Sequence, residues 1–261
     1  MSFTRSVSVY DGEYADAKDS DIVVVTVGSA RKPGQFRIDL AQGNVNIIKS
    51  VMPQVIQYAP HAVYVVVSNP VDILTYIALK ESGYPANRVI GSGTVLDTGR
   101  FRYELGEHLG VDSRSVHAYI IGEHGDSELA AWSDARVGGL KISDFCELRG
   151  HFNHEDSMTR IFDHVKNSAY EIISKKHATY YGIAMAVVRI CSAIVRDEKS
   201  IMPVSSLMTG EYGLYDVVLS IPAVVDANGI ETVVPIELSE SELLALKKSA
   251  DILKGILKDN V

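Results

Sequence analysis

The sequence predicts an α/β fold in two parts, a parallel sheet built from βαβ units and then a mixed α+β domain, and three observations carry that expectation. The runs Asp21-Ile-Val-Val-Val-Thr-Val-Gly-Ser29 and Ala62-Val-Tyr-Val-Val-Val67 are apolar and β-branched at successive positions, the texture of strands buried on both faces. Between them Ile38, Leu40, Val45, Ile48, Val51, Met52 and Val55 recur at near-helical spacing over residues 37–58. Strand, helix and strand therefore follow in order, which makes the strands parallel. After Gly91 the alternation stops, and the chain divides there into a first domain over residues 1–91 and a second over 92–261.

In chain order, the next helix spans residues 71–82 and ends at Gly83, and Arg88-Val-Ile-Gly91 adds a short strand. The second part reads as a helix over 97–109, a strand over 116–121, a long helix over about 156–174, a helix over 182–197, and paired strands at 215–220 and 232–235. Ser239-Glu-Ser-Glu242 is a capping box opening an amphipathic helix to about residue 257. Open parallel sheets bind ligands at the carboxyl ends of their strands, so residues 26–29 and 68–70 are expected to line a crevice.

The 261 residues, 46% of them hydrophobic and 22% charged, suffice for a substantial core. A net charge of -8 argues against nucleic acid or an anionic membrane as partner, since both attract the opposite sign. Cys146 and Cys191, far apart, support neither a disulfide framework nor a cysteine metal site. No apolar run approaches the roughly 18 residues that span a bilayer, and the first residues lack a secretory apolar stretch, so a cytoplasmic location is expected.

Four charged residues sit where the pattern gathers elements around one crevice. His124 ends an apolar strand in Ile121-Gly-Glu-His-Gly-Asp-Ser127, where flanking glycines let a ligand approach an oriented imidazole. Asp97 and Arg100 lie three apart in Leu96-Asp-Thr-Gly-Arg100, on one helix face, so that one can orient a histidine while the other receives an anion. Arg37 follows the Lys32-Pro-Gly34 turn, on a loop suited to swing over a site. His151 and His154 are three apart without a His-Glu-x-x-His arrangement, and no metal site is expected there.

The motifs Ser68-Asn-Pro-Val-Asp72, Gly91-Ser-Gly-Thr-Val-Leu-Asp-Thr98, Gly122-Glu-His-Gly-Asp-Ser127 and Ala178-Thr-Tyr-Tyr-Gly182 resemble, in order and spacing, those of bacterial L-lactate dehydrogenases over essentially the whole chain. The resemblance implies a Rossmann-type first domain, NAD as cofactor and pyruvate and L-lactate as substrates. It implies His124 as proton donor to the keto oxygen, Asp97 as its orienting partner, Arg100 as a two-pronged grip on the substrate carboxylate, and Arg37 as a polariser of the carbonyl. It further implies Asn69 beside nicotinamide and substrate, Thr179 in the substrate pocket, and Thr26 and Gly28 at the turn passing the cofactor ribose. Arg102 and His117 resemble a fructose 1,6-bisphosphate effector site shared between subunits, and the resemblance implies a homo-oligomer, a tetramer.

Two departures qualify the resemblance. No Gly-x-Gly-x-x-Gly occurs in this sequence, and in the family's strand order Ser6-Val-Ser-Val-Tyr10 is the third strand, so the parallel sheet is expected to be incomplete, with unpaired edges and a weak or missing grip on the adenine half of NAD. Arg31, in Ala30-Arg-Lys-Pro-Gly34, stands where many lactate enzymes carry glutamine and many malate enzymes arginine. Three readings stay open from the sequence: an L-lactate dehydrogenase, a malate enzyme through Arg31 pairing with a second carboxylate, and a non-catalytic remnant.

Overall fold

The computed structural model describes residues 6–29 and 37–260, with the side chains of 37–40 and 259–260 outside the description. The elements in order are β1 (Ile22–Val25), α1 (Arg37–Tyr58), β2 (Val63–Val66), α2 (Val71–Ser82), β3 (Val89–Gly91), α3 (Val95–Leu109), β4 (Val116–His117), β5 (Ile120–Ile121), β6 (Leu129–Ala130), β7 (Arg136–Val137) and β8 (Leu140–Lys141). Then come α4 (Ile142–Leu148), α5 (His154–Lys176), α6 (Tyr181–Val195), β9 (Ser200–Thr209), β10 (Tyr215–Asp226), β11 (Gly229–Val233) and α7 (Glu240–Asn260).

One six-stranded sheet runs in the order β1-β2-β3-β9-β10-β11. β1, β2 and β3 pair in parallel, as the βαβ pattern requires, and β3 meets β9 antiparallel, so the sheet continues across residue 91. β2 is buried along its whole length because helices cover both its faces: Tyr64 and Val66 pack with Ile48 and Met52 of α1 and Leu74 and Ile77 of α2, while Val63 and Val65 pack with Ile190 and Ile194 of α6. A separate core joins Phe101, Leu105 and Leu109 of α3 to Ile120, Val137 and Ile161. At roughly 1.5–3 kcal/mol per fully buried aliphatic or aromatic side chain, these faces are what hold α3 against the strands that follow it.

Four sequence expectations are corrected. Ser6–Tyr10 is not a strand; it is exposed and without regular structure, with Val9 74% exposed, because no described strand lies beside it to complete a ladder. Among the described residues β1 is correspondingly an edge, paired only with β2, and Val24 lies exposed on it. The strand expected over 116–121 splits into β4 and β5, which belong to different small sheets, β4-β7-β8 and β5-β6. α3 holds the gap and the start of β5 instead: Arg102 Nε donates to the Ala118 carbonyl at 2.9 Å, and the Ile120 N–H donates to Thr98 Oγ1 at 2.9 Å.

The remaining two corrections share a cause. β9 was not expected, and β10 continues six residues past its expected end at Ser220. Pro203 and Pro222 hide these strands in the sequence, since proline has no N–H to give a ladder. In the structure the two prolines face each other across β9 and β10, so the missing donors coincide at one rung. Their carbonyls are used elsewhere, Pro203 accepting from the Thr94 N–H at 3.2 Å and Pro222 from the Val234 N–H at 2.7 Å. The capping box at α7 forms as expected, the Ser239 N–H donating to Glu242 Oε2 at 2.7 Å and the Glu242 N–H to Ser239 Oγ at 3.3 Å.

Candidate active site

His124 lies on the loop that leaves β5, and three elements fix it. Gly122, at φ +91°, turns the chain where a β-carbon would fall 3.1 Å from both Leu129 and Ser249 Oγ. The His124 backbone N–H then donates to Asp72 Oδ2 at 2.7 Å, which ties the loop to the first turn of α2. The ring Nδ1 meets Asp97 Oδ2 of α3 at 2.6 Å. A carboxylate at Nδ1 keeps the hydrogen there and leaves Nε2 as the nitrogen that exchanges a proton with a ligand. With 27% of the side chain exposed, the ring is reachable.

Arg100 lies one turn along α3, its Nη1 at 3.6 Å from Asp97 Oδ1. It reaches a cleft of about 960 Å³ between α3, α5 and α6, whose walls include Leu96, Glu171, Lys175, Gly182 and Met185. The structure therefore brings together the three residues expected around one substrate, a proton donor, its carboxylate partner and a guanidinium. Burial alone would push the His124 imidazole down, but the Asp97 carboxylate, with Asp72 and Glu128 behind it, reverses the sign and pushes it up to about 9. Burial of Asp97 is outweighed in turn by His124 and Arg100, which hold its carboxyl below the usual range.

The other expected residues distribute as follows. Asn69 is exposed at the carboxyl end of β2 in a cis peptide with Pro70, and its carbonyl accepts from Asn44 Nδ2 of α1 at 2.7 Å. Asn44 Oδ1 accepts from the Ser29 N–H at 2.7 Å, so one buried asparagine ties the ends of β1 and β2 together; Thr26 and Gly28 lie exposed on that edge. Gly28 sits at φ +151° with its β-carbon direction pointing 3.1 Å from Asn44 Oδ1, so a larger residue would break this tie. Thr179 is exposed in the turn between α5 and α6. Arg37 is the first residue of α1, its side chain outside the described residues, and Arg31 lies outside them altogether. Arg102 donates from Nε to the Ala118 carbonyl at 2.9 Å, its guanidinium 4.7 Å from the Tyr119 ring, and His117, the residue before Ala118, is exposed on β4.

Asp72 escaped the sequence reading as a site residue. It is 2% exposed, its Oδ1 accepts from Ser205 Oγ at 2.5 Å, and burial pushes its carboxyl up to about 6 against the pull of its hydrogen bonds. The signal was one acid in the apolar run Val71-Asp-Ile-Leu74. Asp72→Asn turns one acceptor into a donor facing an N–H or O–H. An orphaned buried pair of this kind costs roughly 1–3 kcal/mol, so chemical denaturation is expected to register that loss. A midpoint indistinguishable from the parent would show that Asp72 does not hold the loop.

Comparison with known proteins places these features in a family. Residues 1–91 match the model for the lactate/malate dehydrogenase NAD binding domain, and residues 94–261 that for the lactate/malate dehydrogenase alpha/beta C-terminal domain. The chain is 50% identical over 258 residues to an L-lactate dehydrogenase of Acetivibrio thermocellus, covering 99% of this chain and 81% of the relative. It is 50% identical to L-lactate dehydrogenase 1 of Clostridium acetobutylicum, covering 98% and 82%. Among solved structures, a lactate dehydrogenase from a Medee basin deep-sea metagenome library superposes with a TM-score of 0.94 at 46% identity, over 98% of this chain and 82% of that one. The minor L-lactate dehydrogenase of Enterococcus mundtii in its ligand-bound form gives 0.92 at 45%, over 97% and 80%.

Proposed function

The chain belongs to the lactate/malate dehydrogenase family, and from that premise we propose that it interconverts pyruvate and L-lactate with NAD as hydride carrier. The observation that carries this reading is the 2.6 Å contact of His124 Nδ1 with Asp97, one helical turn from Arg100. As an NAD-dependent 2-hydroxy-acid dehydrogenase, it must hold a carboxylate, supply a proton to an oxygen and keep both groups aligned.

Arg100 presents a planar pair of donors to the substrate carboxylate, a match that an ammonium does not make. Imidazolium His124 gives its Nε2 proton to the keto oxygen as the carbonyl carbon is reduced, and takes it back when lactate is oxidised. Asp97 keeps the ring in one tautomer and stabilises its charged form. Arg37, at the start of α1, polarises the carbonyl from the segment that carries Arg31, and Thr179 closes the pocket near α6. Residues 1–91 serve the cofactor and 92–261 the substrate.

The carboxyl ends of β1 and β2 fit the nicotinamide end of NAD. Thr26, Gly28 and Asn69 form an exposed edge of backbone and amide groups, fastened by Asn44, where a parallel sheet receives a cofactor. This sequence holds no Gly-x-Gly-x-x-Gly turn, and no described residue is assigned to the pyrophosphate. When bound, NADH supplies the hydride.

Further features complete the reading. Arg102, bonded to Ala118, and His117, the residue before it, support an anionic effector such as fructose 1,6-bisphosphate bound between subunits of a homotetramer. No helix among the described residues is long and apolar enough to cross a membrane, and we place the protein in the cytoplasm, in fermentative glycolysis.

The reading is tested by NADH fluorescence titration and by turnover of pyruvate against oxaloacetate. Saturable NADH binding with pyruvate preferred is expected; preference for oxaloacetate would move the assignment to malate, and no binding would remove the activity. The pH dependence has a definite sign. His124 is held protonated up to about 9. Pyruvate reduction, which uses the imidazolium, is expected to hold through neutral pH and decline as pH rises through about 9, while lactate oxidation, which uses the neutral ring, rises over the same range.

A further inference from the structure

Glu128, next to β6, is 7% exposed and belongs to no step described above. Its Oε1 is fully buried and has no hydrogen-bond partner among the described residues. A carboxyl oxygen, a carboxylate oxygen of Asp97 and a ring nitrogen of His124 lie within 4.8 Å of one another. A buried acid with an unpaired oxygen beside a carboxylate and an imidazolium interacts with both whenever its charge changes, because little solvent screens the three.

We propose that Glu128 is a positioning residue for the proton on His124, a third titrating group that acts through the Asp97–His124 pair and extends the acid form of the imidazole into alkaline conditions. The catalytic meaning of this coupling rests on the dehydrogenase reading; the coupling itself does not. Burial first, and then the Asp97 carboxylate, push Glu128 up to about 8, against His124, Lys166 and Arg100, which pull it down. His124 is pushed up to about 9.

The juxtaposition gives the mechanism. When Glu128 ionises beside an imidazolium that still holds its proton, the new negative charge faces that proton with little solvent between them. That charge binds the remaining proton more tightly, so the ring gives it up later and over a wider range than a lone group would. The charged groups around Glu128 are Asp97 and Arg100 on α3, His124 on the loop after β5, and Lys166 on α5; around His124 there is also Asp72 on α2.

The test needs neither cofactor nor turnover. Protein labelled with carbon-13 at the histidine ring carries eight histidines, and His124→Gln identifies the resonance of interest. In the parent, His124 is expected to titrate with a midpoint near 9 over more than the roughly two pH units of an isolated group. Glu128→Gln keeps the shape and removes the charge; its His124 midpoint is expected to fall by about one unit and its curve to sharpen to a single ionisation. Coincident midpoints in the two proteins overturn the proposal. Where Glu128→Gln fails to fold, the parent curve decides alone, and a single sharp ionisation overturns it. In pyruvate turnover, with each profile scaled to its own plateau, the alkaline limb is expected to move down by the same amount; a uniform loss at all pH would mark a structural role and overturn the proposal. A shifted resonance with no turnover in either protein upholds the coupling and removes the dehydrogenase reading instead.

Discussion

Replacing His124 by glutamine is expected to lower kcat for pyruvate reduction by about three orders of magnitude, within the ~10²–10⁴ that a positioned general acid contributes. Glutamine fills the space and keeps a polar end, but it has no proton to give at a usable pH. Asp97→Asn is expected to fall in the same range by a different route. The amide offers Nδ1 no charge, so burial is opposed chiefly by Asp72 and Glu128 and the ring titrates well below its present value of about 9, leaving less of it charged when pyruvate needs an acid. Its alkaline limb should therefore move into or below the neutral range, a displacement that His124→Gln does not produce. Because Asp97 acts through His124, the double variant is expected to be no slower than His124→Gln alone. These values come from NADH absorbance traces. A double variant slower by the product of the two single effects would mean that Asp97 has a separate task and that the pair is not the proton-handling unit.

How much of this could be read from the chain depends on how local each contact is. Asp97 and Arg100 are joined by helical spacing, and the three-residue interval places them together whatever else the fold does. α1 was legible for the same reason, its periodicity running through Pro53 without a break. His124 was marked by the bend around it, since Gly122 permits a backbone that other residues resist. Asp72 was not legible as a site residue: its partners are the His124 backbone and Ser205, 52 and 133 residues away, and no short-range pattern joins positions that far apart. Glu128 is hidden in another way, because an acid beside a glycine-rich bend looks like a solvated charge until the packing around it is known. β9 and β10 failed on local chemistry that tertiary structure overrides. Two prolines, each discouraging a strand, become compatible with one when they meet at the same rung. Ser6–Tyr10 is the reverse case, an alternating pattern without a described neighbour to make it a strand.

Arg100 carries the second large effect, and its two replacements separate charge from shape. Arg100→Leu is expected to lower kcat/KM for pyruvate by about 10³ or more, since an anion is left without its charge-assisted partner in a partly buried site. Arg100→Lys keeps the positive charge but offers a single ammonium instead of two parallel donors, and a loss of roughly 10²-fold is expected, shared between KM and kcat because the misaligned carboxylate also misplaces the keto oxygen relative to His124. Oxamate, which matches the planar keto-acid shape, reports the ground-state part of the grip without turnover. If lysine restored full activity, the arginine would be acting as a point charge and the two-pronged contact would be wrong. Removal of the guanidinium has one more consequence inside the protein. Arg100 helps to keep Asp97 ionised, so the leucine variant is expected to raise that carboxyl, weaken its hold on the imidazolium and bring the alkaline limb down modestly. The lysine variant, with its charge in place, should leave the limb where it is. A substrate-binding defect with an unmoved limb in the first case would mean that the 3.6 Å contact between Arg100 and Asp97 carries no electrostatic weight.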